Sequence, residues 1–230
     1  MLFAPVVIAV YGLQNHASAT LIMAAIMCVE MYAAGTPFRY FIGTGCLGGF
    51  ALGGYLLKKS ANASDGDSGF RFERIQSWLN PDKDPTGKGW QINQSLCAIG
   101  SGGLFGVGLG NSKQKYLYIP EPHNDFIFAV LAEELGFVGA IFVIILFLLF
   151  VWRGIVISMK AEDTFGTLLA VGLTSMIGLE ALINIAVVTN TIPVTGMPLP
   201  FFSYGGSAML ANLLAVGILL SVSRNSKKNV

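Results

Sequence analysis

Four carboxylates and one imidazole crowd a single stretch, IPEPHNDFIFAVLAEELG, from Ile119 to Gly136. Glu121, His123 and Asp125 precede a long apolar run, and Glu133 and Glu134 lie inside it. Asp125 stands where a helix would begin at Phe126, so one task open to it is N-capping. The other is chemistry: a carboxylate at a helix mouth can take a proton from a hydroxyl as a general base. The two tasks are compatible. Partial burial would favour the protonated acid, and the helix N-terminus would favour the anion. Glu133 and Glu134 fall roughly 12–13 Å further along a helix and about 100° apart, so at most one shares a face with Asp125. Acids at that depth face a bundle interior or a wet cavity. They read as hydrogen-bonded packing acids, with a proton or ion path as the alternative. Glu30 reads the same way, as does Glu180 with Asn184, which lie four apart on one helical face.

Other chemistry is weaker or excluded. The run GSGGLFGVGLG (Gly100–Gly110) invites a phosphate-loop reading, but neither GxxxxGK[ST] nor GxGxxG can be drawn through it. A packed turn with two solvated lysines is the plain reading. The alternative is that its backbone N–H groups, with Lys113 and Lys115, hold a pyrophosphate at a membrane interface. NTIPVTGMPLPFFSYGGSA carries Pro193, Pro198, Pro200, Gly205 and Gly206 and cannot be regular helix. It reads as a re-entrant or cavity-lining segment, with hydroxyls on Ser203, Tyr204 and Ser207. No Ser/His/Asp order supports a hydrolase triad. The three cysteines show no CxxC spacing and the two histidines no ligand-type spacing, so no metal site is expected. The cysteines read as small buried hydrophobes.

These residues need elements to hold them, and the composition says which. The chain is 53% hydrophobic and 12% charged. That is about half the charge of an ordinary soluble domain, so an all-α polytopic membrane bundle is expected. Its net charge of +1 and lack of a basic stripe give no sign of a nucleic-acid partner. Apolar runs at Ala17–Ala34, Tyr40–Leu57, Phe126–Val151, Thr164–Val188 and Ser207–Val222 make about five full spans. Met1–Leu13 is too short to cross and reads as the second half of a helix, so the chain looks N-terminally truncated. Gly45, Gly49 and Gly53 put three glycines on one helical face for close packing. All of 1–230 reads as one membrane domain, with Lys58–Asp125 as a large loop inside it.

Short connections set orientation. Arg39, Arg153 with Lys160, and the tail with Arg224, Lys227 and Lys228 fall on one side, which is expected to be cytoplasmic. The 58–125 loop, the Gln14–His16 turn and Thr189–Gly206 then face outside, and the C-terminus inside. Within the loop, FRFERIQSWL (Phe70–Leu79) reads as a helix lying at headgroup level with Trp78 as anchor. The following residues, from Asn80 onward, are rich in Gly and Pro and are expected to take an irregular path.

Five segments carry a family resemblance: RFERIQSWLNPDKDPTGKGWQINQSL, AIGSGGLFGVGLGNSKQK, YIPEPHNDFIFAVLAEELGFVGA, NIAVVTNTIPVTGMPLPFFSYGGSA and GILLSVSR. They closely resemble the SEDS family (shape, elongation, division and sporulation), whose members include FtsW, RodA and SpoVE. The wording is nearest the FtsW/SpoVE branch. The resemblance covers nearly the whole chain. It implies a peptidoglycan glycosyltransferase of the bacterial plasma membrane that polymerises lipid II at the outer face. It also implies a class B penicillin-binding protein as partner, among other division or elongation membrane proteins. Asp125 matches the aspartate of the family's HxDFIF motif and would be the catalytic base. Glu121, His123, Ser203 and Tyr204 become substrate-binding candidates. Lys113 and Lys115, or a divalent cation (Mg or Mn), would neutralise the leaving pyrophosphate.

Departures from the family pattern are Asn124 where Thr is usual, Glu180 where Gln is common, Asn190 where Gly is common, and LQNHAS in place of a motif with Pro after Gln. The chain also reads as lacking the family's first helices, which leaves its activity alone in question. A lipid II flippase and a non-catalytic division or sporulation scaffold stand as alternatives.

Overall fold

The computed structural model describes residues 17–37, 77–81, 88–113 and 124–226. Met1–Leu13, His16, Tyr40–Leu57 with its glycine face, residues 70–76, and Lys115, Glu121 and His123 lie outside the described residues. The chain divides into two compact units, Met1–Ile75 and Gln76–Val230. Every described regular element in both is helical.

In the first unit, α1 (Ala17–Ala33) follows the expected span to within a residue. It ends as a Schellman motif. Gly35 takes φ +74, its N–H donates to the Tyr32 carbonyl, and the Thr36 N–H donates to the Met31 carbonyl. Glu30 is half-buried in its last turn, and Cys28 is exposed rather than buried as expected.

The second unit holds α2 (Lys88–Ser101), α3 (Ile127–Lys160), α4 (Thr164–Val188) and α5 (Gly206–Arg224). The last three are long and apolar enough to cross a membrane. α2 corrects the expectation of an irregular path. Its buried residues Ile92, Ser95 and Ala98 recur every third position and line one face. Two of those residues are small or polar, so the stripe is faint in sequence beside the surrounding Gly and Pro. Cys97 sits off that stripe and is exposed, against expectation.

α3 runs nine residues beyond the expected end at Val151, so Arg153 lies inside the helix and only residues 161–163 connect it to α4. Its first helical residue is Ile127, and Phe126, not Asp125, occupies the N-cap position. Gly136 breaks the helix with φ 70 and ψ −170. The freed backbone groups are taken up by the glycine run. The Val107 and Gly108 N–H groups donate to the Glu133 and Glu134 carbonyls at 3.0 and 3.1 Å. The Phe137 and Val138 N–H groups donate to the Gly103 and Leu104 carbonyls at 2.9 and 3.2 Å. A helix breaks at membrane depth only where its freed groups are satisfied like this. The approach is close enough that a Cβ on Gly102 would collide with the Ala132 carbonyl. One on Gly106 would collide with the Glu134 carbonyl, and one on Gly136 with the Gly106 nitrogen and the Leu104 carbonyl.

α4 begins where Asp163 accepts the Gly166 N–H through Oδ1 at 3.1 Å, an N-cap. It ends like α1, with Asn190 at φ 55 in the position Gly35 fills. The Asn190 N–H donates to the Val187 carbonyl and the Thr191 N–H to the Ala186 carbonyl. Trp78 donates its indole N–H to the Asn190 carbonyl at 3.0 Å, and Ser95 Oγ donates to the Val188 carbonyl at 2.8 Å. Trp78, expected as a headgroup anchor, is therefore tied to protein. α3 and α4 pack through small residues: Gly154 sits against Thr174, and Gly178 against Val151. Phe126, Ala129, Ala132, Val143 and Phe147 of this arm bury against Ile177, Ala181 and Val188, with Leu199 and Ala215 closing the core.

Candidate active site

Asp125 lies just before α3, half-buried, where the end of α4 and the Pro-rich 189–205 segment meet it. Three contacts fix the place. Asn184, in the last two turns of α4 and 1% exposed, donates through Nδ2 to the Asp125 carbonyl at 2.8 Å and to the Met197 carbonyl at 2.7 Å. Ser203 Oγ accepts the Leu199 N–H at 2.6 Å and donates to the Asn124 carbonyl at 2.6 Å. Gly196, at φ 71, passes so near that a Cβ there would sit 3.4 Å from Asp125 Oδ2. A partly open carboxylate beside such a close turn, on a backbone held from two elements, suits proton abstraction from a hydroxyl brought to it.

The proposed site residues separate into groups. Asp125, Asn184 and Ser203 come together. Tyr204, next to Ser203, is 85% exposed. Glu180 sits one turn before Asn184 on α4, half-buried. Glu133 and Glu134 form a second centre with the end of the glycine run. Ser112 Oγ donates to Glu133 Oε2 at 2.5 Å, the Lys113 N–H to Glu133 Oε1 at 3.1 Å, and the Ser112 N–H to Glu134 Oε1 at 3.4 Å. Glu133 is 2% exposed. These acids hold the loop that their own backbone carbonyls also hold. Lys113 is exposed at the loop's end. Among the described residues, no group of three His, Cys, Asp or Glu side chains converges to hold a metal ion.

Sequence reasoning passed over Ser112, Gly196 and the Asn124 and Met197 carbonyls. Gly196 carried a signal, a glycine inside the Pro-rich PVTGMP. The carbonyls carried none, since backbone acceptors belong to every residue type.

The fold and site define a multi-pass membrane protein whose polar centre joins the mouth of one span to the end of the next. The family follows from comparison: residues 1–228 match the FtsW/RodA/SpoVE family model, described as a cell cycle protein, and the chain belongs to that family. It is 48% identical over 206 residues to stage V sporulation protein E of Bacillus subtilis (strain 168), covering 90% of this chain and 54% of that protein. It is 46% identical over 225 residues to a probable peptidoglycan glycosyltransferase FtsW of Geobacter sp. (strain M18), covering 97% of this chain and 58% of that one. These relatives place it on the FtsW/SpoVE branch. Among solved structures it is similar to a chain of a peptidoglycan synthase complex that coordinates polymerization and crosslinking. The TM-score is 0.70 at 28% identity, over 99% of this chain and 61% of that one. It is also similar to the rod shape determining protein RodA of Thermus thermophilus, with TM-score 0.60 at 27% identity over 99% of this chain and 56% of that one. The chain thus spans little more than half the length of the relatives it matches.

Proposed function

We propose that this chain acts in peptidoglycan glycosyltransfer, polymerising lipid II at the outer face of the bacterial plasma membrane during division, elongation or sporulation, with Asp125 as general base. The observation that carries the reading is the place of Asp125. It stands at a helix mouth, gripped from α4 and the 189–205 segment, in a chain 46% identical to a protein named a probable peptidoglycan glycosyltransferase. The carboxylate takes the proton of the acceptor sugar's 4-hydroxyl. The freed oxygen attacks the anomeric carbon of the growing strand. The bond to undecaprenyl pyrophosphate breaks, and the α-linked donor yields a β-linked product. Lys113 and Lys115 are the proposed counter-charges for the leaving pyrophosphate. Tyr204, His123 and Glu121 are proposed contacts to substrate, and a class B penicillin-binding protein is the proposed partner.

Orientation supports the same reading. The mouth of α3, the end of α4 and the 189–205 segment are joined by hydrogen bonds at one end of the bundle. Lys160 and Arg224 belong to the last turns of α3 and α5, and Arg153 lies two turns before the end of α3. By the positive-inside rule those turns face the cytoplasm, which leaves Asp125 and the 58–125 loop outside. The flippase reading loses support, because Glu133 and Glu134 are engaged in holding a loop.

The test is polymerisation of purified lipid II by the protein reconstituted in vesicles with its partner. Asp125→Ala is expected to lower the rate by about 10²–10⁴-fold, the usual worth of a general base. Equal polymer from variant and wild type would remove Asp125 from the role, and translocation of lipid II without polymer would favour the flippase.

A further inference from the structure

We infer that Asn184 and Ser203 are the positioning residues for Asp125, an inference that rests on Asp125 being the base. The two side chains come from different elements and hold successive carbonyls, Ser203 that of Asn124 and Asn184 that of Asp125. Each also holds the 197–199 backbone. Asn184 takes the Met197 carbonyl, and Ser203 takes the Leu199 N–H. Both peptide units that set the direction of the Asp125 side chain are therefore fixed to α4 and to the 197–199 backbone. The side chain itself stays half-buried.

Packing alone gives a poor reason for an amide here. Asn184 spends both N–H donors on the two carbonyls, and its Oδ1 is buried without a hydrogen-bond partner. A polar atom left so is costly in a protein interior. The arrangement tolerates that cost and gains a rigid seat for one carboxylate. A general base acts only within hydrogen-bond reach of its proton, and a displacement of about 1 Å can cost about a hundredfold in rate. Ser203, proposed above from sequence as a substrate contact, has its hydroxyl engaged on both sides in this seat.

The experiment compares wild type, Asn184→Ala, Asn184→Asp, Ser203→Ala and Asp125→Ala, each reconstituted in vesicles with lipid II. Two readouts are taken: the split between kcat and KM, and hydrogen exchange of peptides covering 124–130. Asn184→Ala is expected to lower kcat by about 10–100-fold with KM within about twofold, since it moves the base and leaves the substrate contacts in place. Asn184→Asp keeps the shape but sets a carboxylate against two carbonyls, so it is expected to fall at least as far. Ser203→Ala, which buries no new charge, carries the test if the variants at 184 do not fold. Exchange over 124–130 is expected to speed up in the Asn184 and Ser203 variants. Retained kcat in Asn184→Ala beside an inactive Asp125→Ala overturns the positioning role and leaves the base assignment standing. A fully active Asp125→Ala overturns both. Unchanged exchange over 124–130 overturns the clamp in any preparation, whether or not it makes polymer.

Discussion

At the scale of single residues, the candidate site depends on groups set behind the Asp125 carboxylate. Gly196 is the sharpest case. Its φ of 71 lies in the left-handed region, and a side chain there would press toward Asp125 Oδ2. Gly196→Ala is expected to cost roughly 1–2 kcal/mol in backbone strain and to slow polymerisation by shifting the neighbouring carboxylate. Thermal melting and initial rates on the same preparation check both, and a variant with unchanged melting and rate would show that the turn relaxes freely. Glu133 gives a contrasting expectation. Glu133→Ala leaves the buried Ser112 hydroxyl and the partly buried Lys113 N–H without their acceptor, and is expected to destabilise by about 2–4 kcal/mol. Glu133→Gln keeps one acceptor and is expected to lose about half of that. If Glu133 instead carried protons, the Gln variant would hold its melting temperature and lose activity.

At the scale of elements, helix ends decide what could be read in advance. α4 was legible to the residue, because an apolar run stood between Asp163 and a Thr-Asn-Thr stop. The end of the same helix gives a physical reason for the residue at 190. Asn190 occupies a left-handed cap position, where Gly is free of strain and Asn is the next most tolerant residue. Asn190→Gly is expected to raise stability by about 0.5–1 kcal/mol, since it relieves the backbone and removes a buried Oδ1 without a partner. Asn190→Ala is expected to lower it by about 1 kcal/mol, and melting of the three proteins side by side tests the order. Two elements were not legible. α2 hides its face behind Ser95 and Ala98, and the break in α3 hides behind one glycine of several in a long, mostly apolar run. Both exist because of a partner distant in sequence, and a reading of local pattern has no access to that partner. The same holds for the site. Asp125 was legible from its type and position, whereas its seat was not, because the atoms gripped are carbonyls.

At the scale of the molecule, the second unit has two unlike ends: Asp125, Asn184 and Ser203 meet where α3 begins and α4 ends, and Lys160 and Arg224 close the far ends of α3 and α5. This makes topology directly testable. With the native cysteines replaced by serine, a cysteine at Tyr204, 85% exposed, is expected to react with an impermeant maleimide on intact cells. A cysteine at Glu162, in the short exposed connection, is expected to react only after permeabilisation. The reverse pattern would invert the chain and move Asp125 to the cytoplasm. The stitched break at Gly136 has a further effect on what the gene can tolerate. Ordinary surface loops absorb insertions and deletions cheaply. Residues 102–113 are pinned to α3 at Val107, Gly108, Gly103 and Leu104 and again at Ser112 and Lys113, so their number is set by the helix they cover. Over evolutionary time this stretch should drift in its exposed side chains, such as Phe105 and Leu109, while keeping its length as strictly as a helix keeps its register.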